Sequence, residues 1–112
     1  MPIEGLVTFT DPVTFLGWPH VAEFAAREHV VTICEFEQLT RAGCLLSYGP
    51  SFDEITQRVL VQMERILKGA KPADLPMEQA ARFYLTVNSK AAKALGVTFP
   101  PSVLVRVDKT IE

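Results

Sequence analysis

Neither sign of charge dominates this sequence: 11 Lys and Arg stand against 13 Asp and Glu, a formal charge of −2. The basic residues are scattered from Arg27 to Lys109, with no run that could track a phosphate backbone. Nucleic acid is therefore excluded as an expected partner. No apolar run approaches the length of a membrane span. Met1-Pro2-Ile3-Glu4-Gly5 lacks the basic and long apolar stretches of a signal peptide, so a complete gene product of this sequence is expected in the cytoplasm. Cysteine is scarce. Cys34 and Cys44 have no C-x-x-C spacing and no His at ligand distance in sequence, which excludes a zinc site. Both lie in apolar surroundings and are expected as buried thiols that pack like small hydrophobes; a disulfide stays open for an exported chain.

Catalytic signatures are also missing. There is no G-x-G-x-x-G after a strand, no Walker loop and no G-x-S-x-G elbow. Ser47, His20 and Asp11 could be drawn as a triad, but a chain of this size always offers such a trio. His20 and His29 are nine positions apart and share no helix face as a metal pair would. No cofactor, metal or catalytic residue is expected. Trp18 is expected as a core or interface anchor.

What is present is an ordinary globular composition, 48% hydrophobic and 21% charged over 112 residues, enough for one small core. Ile3–Phe9 reads as a strand stopped by Asp11-Pro12, and Pro19–His29 as a helix with Val21, Ala22, Ala25 and Ala26 on one stripe. Val30–Glu35 is short and β-rich, as in a strand buried on both faces. A helical turn over Phe36–Ala42, a strand over Cys44–Tyr48 and a sharp break at Gly49-Pro50 follow. Ser51-Phe52-Asp53-Glu54 has the form of a capping box and opens the best helix in the chain, with Phe52, Ile55, Val59, Met63 and Ile66 at helical spacing. Residues 69–79 read as a linker or crossover. A strand at Phe83–Val87, a helix at Lys90–Leu95 closed by Gly96, and a last strand at Val103–Val107 complete the reading.

Strands alternating with helices predict an α/β fold: a mostly parallel sheet in three layers, with helices on both faces and residues 1–112 forming a single lobe. Such sheets bind ligands beyond the carboxyl ends of their strands, where loops vary freely and helix N-termini present bare N–H groups. The candidates are Thr10 and Asp11 after the first strand, Glu35 after the second, and Tyr48, Gly49, Pro50, Ser51 and Asp53 after the third. An aromatic ring beside a helix N-terminus suits a small amphiphilic anion or zwitterion. Structural duties compete at the same positions: Asp11 for an Asx-turn, Ser51 for a cap, Tyr48 for packing under the turn.

From Gly43 onward the wording itself is distinctive. Leu46-Ser47-Tyr48-Gly49-Pro50, Ile66-Leu67-Lys68-Gly69-Ala70-Lys71-Pro72-Ala73-Asp74-Leu75-Pro76, Ala91-Ala92-Lys93-Ala94-Leu95-Gly96 and the closing Ile111-Glu112 resemble the C-terminal region of ABC-transporter substrate-binding proteins of the tryptophan-type group. Residues 3–42 resemble the preceding part more loosely, through Thr10-Asp11-Pro12. The resemblance implies one lobe of a type I periplasmic-binding-protein-like fold and a small-molecule ligand, an amino acid or small organic anion, held in a cleft. It further implies delivery to an ABC permease, a periplasmic location for a full-length parent, and no chemistry. Gly43-Cys44 stands where the family usually has Gly-Gly, and a signal sequence and a first lobe are not part of this sequence. A lone lobe exposes apolar surface, so a homodimer is expected, with terminal segments exchanged about residues 69–79. The alternatives are a remnant that folds and dimerises without binding, and a small α/β enzyme or regulatory domain.

Overall fold

The computed structural model describes residues 2–112. The chain runs β1 (Gly5–Val7), α1 (Pro12–Leu16), α2 (Trp18–Arg27), β2 (Val31–Cys34), α3 (Glu37–Arg41), β3 (Leu46–Pro50), α4 (Phe52–Leu67), a 3-10 turn (Pro72–Asp74), β4 (Phe83–Asn88), α5 (Ser89–Leu95), α6 (Pro101–Leu104) and β5 (Lys109–Ile111). The five strands form one sheet in the order of the sequence. Pairs β1–β2, β2–β3 and β4–β5 are parallel, each bridged by helical crossovers, while β3–β4 is antiparallel. This is the expected mostly parallel α/β sheet. The one antiparallel pair arises because α4 carries the chain away from the sheet and residues 68–82 return it in the opposite sense.

Local chemistry explains most boundaries and several departures from the sequence expectation. Asp11-Pro12 does not merely stop β1. Asp11 caps α1, accepting from the Thr14 backbone N–H at 2.9 Å, and Pro12 occupies the first helical turn, where it forfeits no hydrogen bond. Gly49-Pro50 does not break β3: Gly49 pairs with Tyr84 and Pro50 with Phe83, and Pro50 is tolerated because β2 pairs with β3 only as far as Ser47, which leaves β3 an edge at Pro50. The expected strand at Val103–Val107 is absent. Pro100 and Pro101 start α6 instead, and the last strand is β5. Ser51 and Asn88 cap α4 and α5 through their side chains, and Gly96 ends α5 in the left-handed region at φ 68°.

The core lies between the sheet and helices α2 and α3. Trp18, Cys34, Leu39 and Cys44 form its centre, with Val21 and Ala22 against it. Cys34 and Cys44 are joined by a disulfide across a ten-residue separation. The expectation of two free thiols is therefore corrected: β2 and the approach to β3 place the two sulfurs in the same buried cluster. Trp18 is the core anchor, its indole N–H donating to the Ala42 carbonyl at 3.1 Å. Asn88 ties α3 to β4 through the Thr40 carbonyl at 2.9 Å. The strand β2 is not covered on both faces, because Thr32 and Cys34 are buried while the alternating Ile33 is exposed. Outside this core α4 stands apart. None of its 16 residues is buried, and the radius of gyration, 17.3 Å with a long dimension of 55 Å, exceeds the roughly 13 Å of a compact chain of this length.

Candidate functional site

A groove of about 610 Å³ opens on the α3 side of the sheet, between α3 and the first turn of α4. Its floor is β3 and β4. Ser47 pairs with Thr86 and Gly49 with Tyr84, so these four residues share one face, and Ser47 and Thr86 are buried. Small side chains at 47 and 49 are what keep the floor low. Gly49 has a second constraint: a Cβ there would fall far inside van der Waals contact of the Glu35 carbonyl oxygen, so only glycine lets β3 pass the end of β2. One wall is α3 with Glu35, the other is Pro50, Ser51 and the start of α4, and Arg82, Asp108 and Lys109 close the far end.

The groove is charged on both signs and aromatic on two sides. Glu37 bonds Lys109 at 2.6 Å and Arg41 from its own helix, and these two cations, Lys109 first, hold its carboxyl below the usual value. Asp108 accepts from the Leu85 backbone N–H at 2.8 Å and pairs with Arg82 at 2.7 Å, which together lower its pKa. Tyr84 donates its hydroxyl to Glu54, which raises the phenol's pKa, and the Arg82 guanidinium lies 4.6 Å from the Tyr84 ring centre. Phe52 stacks edge-on against Phe36 at 5.8 Å. Among the described residues no cluster of His, Cys, Asp and Glu is arranged to hold a metal.

Of the sequence candidates, Glu35, Gly49, Pro50, Ser51 and Asp53 line this groove together. Thr10 touches its edge, donating its backbone N–H to Glu35 at 3.3 Å. Asp11 and Tyr48 are elsewhere. Both Asp11 carboxylate oxygens are engaged by Thr14, whose backbone N–H lowers the Asp11 pKa first, and Tyr48 points to the opposite face of the sheet, packed edge-on with Phe83 at 5.7 Å. Period-two alternation carries the reason: if Ser47 and Gly49 face the groove, Tyr48 does not. Ser51 spends its hydroxyl on the Glu54 backbone N–H, and Asp53 and Glu54 place negative charge in the first turn of α4.

The groove also contains residues that strand-end reasoning did not select: Tyr84, Arg82, Asp108 and Lys109. They enter through the antiparallel β3–β4 pair and through β5. The Arg82-Phe83-Tyr84 stretch at the start of a strand was the available signal, but a parallel β4 would have put its beginning at the other end of the sheet.

Residues 3–111 match the family described as ABC transporter substrate binding protein. Among solved structures, a conserved domain protein from Vibrio cholerae is 22% identical and superposes with a TM-score of 0.90 over 96% of this chain. An ABC domain from Streptococcus pneumoniae in complex with L-Trp is 25% identical, with a TM-score of 0.88 over the same 96%. The ligand-free, open structure of a substrate-binding protein with adhesive properties from Clostridium difficile is 20% identical, with a TM-score of 0.62 over 96% of the chain. The chain spans only 36%, 37% and 36% of these three proteins, respectively. No curated protein matches it. With all but its outermost residues matched, the chain belongs to the ABC transporter substrate binding protein family.

Proposed function

We propose that this chain contributes one side of a ligand cleft for ABC-type uptake, and that the ligand is a zwitterionic amino acid with an apolar or aromatic side chain. The observation that carries the reading is the pneumococcal relative, which holds L-Trp and superposes on 96% of this chain. The groove's chemistry supports it. Glu35, Asp53 and Glu54 offer charge to an ammonium, Arg82 and Lys109 to a carboxylate, and Tyr84 and Phe52 offer ring faces. Thr10 stands at the rim on the β1 side. The role is binding rather than catalysis, since a delivery protein must release its ligand unchanged. A longer protein of this family would work in the periplasm and pass the ligand to an ABC permease. Residues 1–112 would then be its C-terminal region, with 69–79 as the crossover.

The test is calorimetry and thermal denaturation of the purified chain with L-tryptophan, other amino acids and small carboxylates. A ligand confined to the native state stabilises it by about 2.7 kcal/mol at one hundred times its Kd. A rise in Tm with L-tryptophan that R82A abolishes is expected. No shift with any compound would sink the reading and favour a second one, a domain that folds and self-associates without binding. That second reading has its own observation in α4, whose apolar stripe is left in solvent.

A further inference from the structure

We infer that the Cys34–Cys44 disulfide is a positioning device for the groove, so that ligand affinity in this chain depends on the bond being intact. This rests on the groove being the ligand site.

The covalent ring closed by the two cysteines encloses α3. Glu35, Glu37, Gln38 and Arg41, which form one wall of the groove, all lie inside that ring. A five-residue helix does not hold itself together, because nucleation is unfavourable and too few hydrogen bonds follow. Something else must fix α3. Its far end is held by the Trp18 indole on the Ala42 carbonyl and by Asn88 on the Thr40 carbonyl. Its near end follows Glu35, whose backbone is pressed flat against Gly49. The disulfide joins the two ends: Cys34 directly precedes Glu35, and Cys44 follows the turn that leaves α3. Cutting it leaves the C-terminal anchors in place and leaves the near end, which carries Glu35 and Glu37, to noncovalent holds alone: the pairing of Cys34 with Ser47 and the Glu37–Lys109 ion pair. Glu37 is also the residue that reaches across the groove to Lys109. Cys44 is 0% and Cys34 3% exposed, so a thiol in solution reaches the bond only through local opening and reduces it slowly.

Reduction by a dithiol passes two electrons and two protons to the bond, giving two cysteine thiols and the cyclic disulfide of the reductant. Trp18, the sole tryptophan, shares the buried cluster with both sulfurs. A disulfide quenches a neighbouring indole, so opening the bond brightens Trp18 emission and reports the state of the bond.

The experiment compares the oxidised chain, the chain in dithiothreitol, and C34V/C44G. It reads hydrogen exchange by mass spectrometry together with L-tryptophan affinity by calorimetry. Expected on opening the bond is faster exchange, about tenfold or more, confined to residues 35–44, with the β3–β4 amides still protected. Affinity for L-tryptophan should fall by about tenfold as well. Unchanged exchange at 35–44 overturns the proposal. So does a uniform loss of protection over the whole chain, which would make the bond a staple of the fold at large. Should C34V/C44G fail to fold, the reduced wild-type chain with brightened Trp18 decides on the same exchange criterion. If the oxidised chain takes up no L-tryptophan, the proposed ligand falls, while the exchange pattern still judges the bond.

Discussion

Gly49 shows how much a single position carries. Its missing side chain lets β3 run against the Glu35 carbonyl while leaving the groove floor open. Gly49→Ala must push two strands apart, and overpacking of that kind costs about 1–3 kcal/mol. Urea denaturation should show the loss, and a variant as stable as the parent would mean that the two strands separate freely. Glu37 gives a pH-dependent counterpart. Its carboxyl is lowered from 4.5, first by Lys109 and then by Arg41. A lowered folded pKa means that the ion pairs add stability above the unfolded value and lose it as pH falls through the folded one. Stability should therefore decline on acidification below about pH 4.5, and E37Q should lack that part of the decline. Denaturant midpoints measured in parallel at neutral and acid pH would check this. That Glu35 and Gly49 line the groove is legible because they stand at strand ends. The face of Tyr48 is not legible, because a ring at a strand end reads as a ligand contact until the alternation is anchored. The anchor, burial of Ser47 and Thr86 side by side, involves small polar residues that carry no hydrophobic signal of their own.

At the scale of elements, legibility follows the strength of local signals. The helix α4 was readable because a cap, an apolar stripe and a stop coincide within one segment. Ser51 does bond the Glu54 backbone N–H, so S51A should cost α4 about 1 kcal/mol. Loss of helical circular dichroism on mild heating would register it. A neutral S51A would mean that the stop at Gly69 and the return segment set the helix without the cap. That return segment does brace α4: Gln62 and Arg58 donate to the carbonyls of Pro76 and Gln79 at 3.0 and 2.7 Å. The position of the final strand escapes local pattern for an equally physical reason. Val103 to Val107 looks β-rich, but Pro101 at a first helical turn outweighs propensity, and the strand forms only where Asp108 locks its carboxylate onto the Leu85 N–H. That lock depends on β4, some 23 residues away in sequence, and no local pattern announces it. The disulfide was hidden likewise. Cys34 and Cys44 meet only because α3 folds back between them.

The whole molecule is shaped by what α4 leaves uncovered. Phe52, Val59, Leu60, Met63 and Ile66 are each 41–53% exposed and Leu67 is 85% exposed, along a helix about 24 Å long. Exposed stripes of this extent mark association surfaces. In a full-length relative, most of the chain lies outside the part that superposes here, and in isolation this chain has only copies of itself to meet. Two stripes laid against each other would bury on the order of 1,000 Å², near the lower bound for a specific interface. The two ends favour an antiparallel pair: Asp53 and Glu54 stand in the first turn and Arg65 in the last, so opposed dipoles and opposite charges coincide. We therefore expect a concentration-dependent dimer by analytical ultracentrifugation, and M63E should return it to monomer without loss of secondary structure, since residue 63 touches no core. A monomer at all concentrations would show that solvated α4 is tolerated. A dimer indifferent to M63E would move the interface to the other open apolar surface, the β1–α1 side where Phe9, Val13 and Leu16 are each about 80% exposed.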